Sequence, residues 1–241
     1  KIFLPNIKIY HTINVGDINF LFKPLLCKID QVFTSTNFYK DFLKSKNISC
    51  DVIKHGGAKR ELKKIDYKNR VVFWRDPSHE NGADICLDAF VQVSNNYPDI
   101  EFTFAVRPHY DNVLDLNKID SHNNISYFEF PYKNNKSIDD FLNESILIIL
   151  PFRSLSTNPQ YAVIESLQFD SILITSDVES NKEVIEGTNG ILLKRNTSEE
   201  LANILTEQLD HHKLNNKLKG TSFKTSFNWK NYKQKILNYY E

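Results

Sequence analysis

From residue 70 onward the chain repeats one hydrophobic rhythm: a short apolar run, a polar turn, then apolar residues at helical spacing. The runs RVVFWRD (70–76), EFTFAVRP (101–108), NISYFEFP (124–131), ILIILPF (146–152), SILITS (171–176) and NGILL (189–193) read as strands. Each is brief, rich in β-branched or aromatic residues and bounded by turn formers. ILIILPF shows no polar alternation, which predicts a strand buried on both faces, as in a parallel sheet. The intervening segments carry the helical period. Residues 82–98 place Ile85, Leu87, Ala89, Phe90 and Val93 together and close at Pro98, and 137–145 opens on Ser137 with Asp140 three residues on. Residues 160–169 and 181–187 read as helices, 197–212 as a helix with Thr197 or Ser198 before Glu200, and 112–122 as helical or irregular. A hydroxyl followed three residues later by a carboxylate is a helix-start signal. Such regular alternation predicts a doubly wound α/β domain.

The pattern before residue 70 is shorter. Residues 1–7 and 7–13 read as strands, Pro5 weakening the first, and 20–29 as helix or loop because Pro24 interrupts it. Residues 30–36 read as a strand and 37–48 as a helix carrying Phe38, Phe42 and Leu43, capped by Thr36 or Asn37. Residues 50–57 read as a strand ending in the Gly56–Gly57 turn, and 59–69 as a basic, polar connector. A final amphipathic helix is expected over 228–241.

Composition narrows the class. Of 241 residues 41% are hydrophobic, including 17 Phe and 11 Tyr, enough for a large core and too many for a disordered chain. The formal net charge is zero, which speaks against a dedicated nucleic-acid binder. Cys27, Cys50 and Cys86 are far apart and odd in number, so neither a zinc site nor a disulfide framework is expected and a reducing compartment fits. No apolar run has the length of a membrane span, and the first residues lack a signal-peptide pattern. Methionine is absent and the chain opens at Lys1, which reads either as unusual sampling or as residues of the molecule outside the given sequence.

Open parallel sheets bind ligands beyond the carboxyl ends of their strands. That rule selects Arg75 and the loop to Gly82, then Arg107 with Pro108 and His109, then FRSLSTNPQ (152–160), then Asp177 with Asn181 and Glu183. Arg75 is placed to clamp a diphosphate with help from helix amides, or else to pair at the surface with Asp76 or Glu80. RDPSHENG is not a dinucleotide-binding glycine pattern, and no P-loop, GxSxG, HExxH or DxD element is present. Glu165 is expected at a helix start, where its carboxylate either accepts both hydroxyls of a ribose or merely stabilises the helix. His11 stands at another strand end and, taken alone, reads more readily as structural. His55, His109, His211 and His212 rank below it.

VVFWRDPSHENGADICLDAF (71–90), ILIILPF through NGILL (146–193) and the closing NWKNYKQKILNYY (228–240) together resemble the group-1, family 4 nucleotide-sugar glycosyltransferases. The resemblance implies a GT-B-like α/β fold of two Rossmann-like domains, the first short or only partly present. It implies a partial acceptor-side domain over 1–58, a nucleotide-sugar-binding domain over 59–225, and a helix over 226–241 packing back toward the first. By the same likeness Glu165 matches the ribose glutamate, Arg75 the diphosphate arginine, His11 a histidine near the transferred sugar, and Gly56 the turn into the second domain. Thr157 stands where the family carries a second glutamate, and Asn81, before Gly82, where it carries a lysine; Arg107 or Arg153 is expected to compensate, and Tyr161 to line the site. The implied activity is transfer of a sugar from a nucleotide diphosphate sugar, with retention, to an unknown carbohydrate, lipid-linked or protein acceptor. The resemblance implies no cofactor and no metal. A cytoplasmic location is expected; the aromatic stretches FYKDF (38–42) and NWKNY (228–232) read as peripheral contact at the membrane face or, more readily, as plain packing. The rival expectations are a nucleotide-sugar or glycan-binding module without turnover, favoured by Thr157 and Asn81, and a scaffold subunit.

Overall fold

The computed structural model describes residues 10–12, 31–64, 69–215 and 227–240. The rhythm from residue 70 becomes six parallel strands: β4 (Arg70–Phe73), β5 (Glu101–Val106), β6 (Ile125–Glu129), β7 (Ser145–Leu150), β8 (Ile172–Ser176) and β9 (Ile191–Leu193). Their order is β6-β5-β4-β7-β8-β9. The chain thus winds outward from β4 in one direction, returns, and winds outward from β7 in the other. A crevice forms at that reversal.

Alternate residues of each strand enter opposite cores. Val71, Phe73, Phe102, Phe104, Leu147 and Ile149 face one layer, packed by α2 (Ala83–Ser94) and α7 (Ser198–Asn215). Val72, Trp74, Ala105, Ile148 and Leu150 face the other, packed by α4 (Ile138–Asn143) and α5 (Tyr161–Ser166). Every residue of β7 is buried, as its unbroken apolar run predicts. Two short helices, α3 (Leu116–Asp120) and α6 (Asn181–Ile185), complete the unit.

Predicted starts are realised in detail. Ser137 and Asp140 form a reciprocal capping box on α4, and the Glu200 backbone N–H donates to Thr197 Oγ1 at the head of α7. Some ends are shorter than their apolar patterns: α2 stops at Ser94 rather than Pro98, and α5 spans Tyr161–Ser166 rather than 160–169.

Among the described residues this is the one clear Rossmann-like domain; a second, short or only partly present, was expected ahead of it. Ahead of it lies a smaller parallel sheet, β1 (Tyr10–Thr12), β2 (Gln31–Thr34) and β3 (Asp51–Val52), with α1 (Asn37–Ser45) packed on it. Thr36 caps α1 by accepting from the Tyr39 N–H. The last helix, α8 (Trp229–Tyr240), reaches back to this sheet: Tyr239 donates to Asp51 (2.7 Å) and meets Phe33 edge-on. No described helix is long and apolar enough to cross a membrane. The described cysteines, Cys50 and Cys86, are buried free thiols.

Candidate functional site

The loops leaving β4 and β7 meet at the reversal point. Gly82 makes that meeting possible. Its φ is +72°, and a Cβ there would lie 2.1 Å from the Pro151 carbonyl oxygen. Only a residue without a side chain fits both the left-handed backbone and the approach. Asn81 folds the same loop, donating from Nδ2 to the Asp76 carbonyl (3.0 Å).

Beside these loops lies a cavity of about 630 Å³ lined by Trp74, Arg75, Arg107, Phe130, Tyr132 and Lys136. It opens at the carboxyl ends of β4, β5 and β6, where the winding rule puts a ligand. Its walls combine three aromatic side chains, Trp74 with Phe130 and Tyr132 (the last two in edge contact at 5.7 Å), with three cations and the Asp76 carboxylate. Burial pushes the Tyr132 hydroxyl up to about 12, with Arg107 opposing.

Arg75 is the central charge. Its side chain is half-buried, the Asp76 carboxylate considered from sequence stands at 4.0 Å, a loose ion pair, and Nε has no partner. Burial pushes Arg75 below its ordinary value; Asp76 opposes this, Arg107 adds to it, and Glu165 and Arg60 contribute with opposite signs. Arg107 and Arg60 are thus each within electrostatic reach of Arg75, and of these the Arg75 and Arg107 guanidinium groups line the cavity, where an added anion is favoured.

Glu165 borders this cluster, though not at a helix start. Thr157 and Gln160 close the preceding loop on themselves, with Thr157 Oγ1 3.0 Å from Gln160 Oε1, so α5 opens only at Tyr161. Glu165 is then the fifth of six residues, and the dipole at a helix N-terminus cannot account for it. Its carboxylate, in a residue 7% exposed, accepts from the Ala58 N–H (3.0 Å) and from Arg60 Nη2.

The connector read as merely basic and polar is in fact a strap. Ala58 and Arg60 exchange bonds with Gln168 (2.7 and 3.2 Å), Glu61 and Lys63 with Asp139 and Asn143 (each 2.8 Å). Gly57 lets it lie against α5, since a Cβ there would be 2.7 Å from Glu165 Cγ. Arg60 also bonds Asp139 (3.3 Å) and covers the Trp74 ring at 5.1 Å. Sequence reasoning passed over Arg60. The signal available was a single arginine following the paired glycines.

His55, ranked low from sequence, is 2% exposed and stacked between Tyr161 (4.8 Å) and Trp229 (5.6 Å). Trp229 Nε1 donates to the Gly57 carbonyl (3.0 Å), which joins α8, the strap and α5 at one point. Gly56 is needed there, because a Cβ would be 2.8 Å from the Trp229 backbone nitrogen.

The remaining expected residues separate. Arg107 is exposed at the cavity mouth. Arg153 instead makes a bidentate pair with Asp84 (2.7 Å each), securing the first turn of α2, and it is not part of the cavity wall. To compensate for Asn81, as expected from sequence, Arg153 would have to leave Asp84. His11 lies within β1, paired with Val32, and its side chain lies outside the described residues. Among the described residues no cluster of three or more His, Cys, Asp or Glu is arranged to hold a metal.

The chain is similar in fold to several solved structures. It aligns with TarM over 98% of its own length and 50% of that chain, at 13% identity and a TM-score of 0.72. It aligns with HepE of Anabaena, solved in complex with UDP, over 96% of its length and 71% of that chain, at 14% identity and a TM-score of 0.72. A glycosyltransferase from Rickettsia africae aligns over 99% and 71%, at 16% identity and a TM-score of 0.68. The chain thus spans half the length of TarM and about seven-tenths of the other two. At these identities the likeness establishes the α/β fold with Rossmann-like, GT-B-like topology. No curated protein matches it in sequence. The sequence profile of the family described as Glycosyl transferases group 1, however, matches residues 68–211, more than half the chain. The site-bearing domain falls within that match, and the chain belongs to the group 1 glycosyl transferases.

Proposed function

We propose that the protein binds a nucleotide diphosphate sugar in the crevice between the β4 and β7 loops and transfers its sugar to an acceptor. The observation that carries this reading is a half-buried Arg75 in the wall of an aromatic-lined cavity, with the Glu165 carboxylate close enough to act on its charge. A base finds flat apolar surface, a diphosphate finds guanidinium charge, and a ribose finds a carboxylate that only accepts hydrogen bonds. HepE, of similar fold, is solved with UDP and with UDP-glucose, which supports a uridine nucleotide as the first donor to test.

In this reading the chemistry is departure of the nucleoside diphosphate as the sugar carbon gains oxocarbenium character. Arg75 and Arg107 stabilise the charge growing on the leaving oxygen, and the enclosed setting of Arg75 strengthens that effect. Glu165 fixes the nucleoside so that the bond to be broken faces the crevice. His11 is proposed as the group beside the transferred sugar, and retention of configuration follows the family likeness.

A second reading, binding without turnover, is favoured by the engagement of Thr157 with Gln160 and of Asn81 with Asp76. Calorimetry with UDP, GDP and ADP on the wild type, Glu165→Ala and Arg75→Ala tests the donor site. Saturable binding that is lost in Glu165→Ala and weakened about tenfold or more in Arg75→Ala supports it. No binding by the folded wild type refutes it. Release of UDP from UDP-glucose separates turnover from binding alone.

A further inference from the structure

We infer that Arg60 is a latch on Glu165, which a nucleotide must open before its ribose can be held. The inference rests on the donor-site reading above and adds a residue that sets the affinity of that site.

Both oxygens of Glu165 are already engaged. Oε1 takes the Ala58 N–H at 3.0 Å, and Oε2 takes the guanidinium of Arg60. The carboxylate side chain is only 9% exposed. An incoming ribose must therefore compete for an oxygen that holds a charge-assisted bond, among the stronger hydrogen bonds proteins make. Approach from the strap side is closed, because Gly57 already lies so near Glu165 that a Cβ would reach 2.7 Å from Cγ.

The latch can open without dismantling the strap. The strap is held by backbone groups: the Arg60 N–H on Gln168, the Glu61 N–H on Asp139 and the Lys63 N–H on Asn143. None of these depends on the Arg60 side chain. Besides Glu165 that side chain meets Asp139 at 3.3 Å and the Trp74 ring at 5.1 Å, two partners on which it can turn. Opening is thus a local turn of one guanidinium between two anchors. The exchange places two ribose hydroxyls on the carboxylate in place of the cation.

Removing the cation leaves a buried acceptor without its strongest partner, a state that a ligand bearing hydroxyl donors relieves. The test is calorimetry on the intact chain with the best-binding nucleoside diphosphate among UDP, GDP and ADP, and with inorganic pyrophosphate, which has no ribose. Arg60→Ala is expected to bind the nucleoside diphosphate on the order of tenfold tighter, equivalent to about 1.4 kcal/mol, and pyrophosphate no tighter. Arg60→Gln, which keeps a neutral donor and the strap, is expected to shift in the same direction by less. The gain must vanish in Arg60→Ala/Glu165→Ala. Thermal melting without ligand confirms that each variant is folded.

Unchanged or weaker nucleotide binding in a folded Arg60 variant, while Glu165→Ala still abolishes binding, overturns the latch and leaves the donor site standing. Tighter pyrophosphate binding in Arg60→Ala also overturns it, because the effect would then bypass the ribose. Wild-type affinity in Glu165→Ala overturns the donor-site reading itself, and the latch with it.

Discussion

Replacing Gly82 by alanine probes the joint on which the crevice depends. Two penalties can be worked out from the structure. The residue has φ +72°, where an L side chain is disfavoured by roughly 1–2 kcal/mol. The added Cβ would also stand 2.1 Å from the Pro151 carbonyl oxygen, 3.0 Å from its carbon and 2.9 Å from Cγ of its ring. Both carbonyl atoms are backbone, so no rotamer change relieves the clash; the β7 loop must move away from the β4 loop. Overpacking that forces backbone movement costs about 1–3 kcal/mol. The two together give an expected destabilisation of about 2–5 kcal/mol. Urea unfolding followed by circular dichroism would show this as a lower midpoint at an unchanged slope. Because Arg75 leaves the same β4 loop, nucleotide binding should weaken even where the variant is still folded. A loss below about 1 kcal/mol with full binding would show that the two loops do not meet as described, and the crevice argument would fail with them.

Three further perturbations address other parts of the molecule. Glu183 accepts from the Asn37 backbone N–H (2.7 Å) and Nδ2 (2.9 Å) and pairs with Lys54 (3.4 Å), so Glu183→Ala removes the carboxylate joining α6 to α1. A loss of about 1–2 kcal/mol is expected in urea unfolding, with a smaller loss in Glu183→Gln. Arg153→Ala breaks the bidentate pair with Asp84, whose partners are each about one-third exposed, so the loss should be about 1 kcal/mol. A double-mutant cycle with Asp84→Asn measures the coupling, and nucleotide affinity should change less than in Arg75→Ala. His55 is held below its ordinary value of 6.5 by burial, with its bond to the Gly56 carbonyl opposing. The unfolded imidazole therefore takes up a proton first as pH falls through 6.5, and stability that is complete above that value declines below it. Unfolding midpoints should drop from about pH 7.5 to about pH 5.5, with a shallower slope in His55→Phe. Burial shifts His212 in the same direction, so a residual slope is expected in that variant.

The parts of this molecule legible in its sequence are those governed by short-range repetition. The β7 run announces a doubly buried strand because each apolar side chain needs a covered face, and Ser137 with Asp140 announces a helix start because those groups bond within one turn. Arg75 was reachable by combining strand ends with the winding rule, which converts local pattern into position. The position of Glu165 in its helix was not legible, since it depended on the Thr157–Gln160 loop closing on itself before the helix could open. The pairing of Arg153 was not legible for a related reason: its partner Asp84 is 69 residues away, and charge type alone cannot say which of several acids it meets. Arg60 lies further out of reach, 105 residues from the carboxylate it holds, in a segment whose polarity reads as connector. What fixes it is the pair of glycines before it, which let the chain touch Trp229 on one side and Glu165 on the other. A glycine is conspicuous in sequence, but the reason for it is carried by whatever approaches it. At Gly56, Gly57 and Gly82 alike the approaching groups come from distant segments that meet at the proposed site. Three positions that reject even a methyl group mark the places where strap, final helix and crevice loops are in direct contact. Substitutions there should therefore disturb ligand binding and folding together, whereas Arg60→Ala, which leaves every strap backbone bond in place, should separate the two.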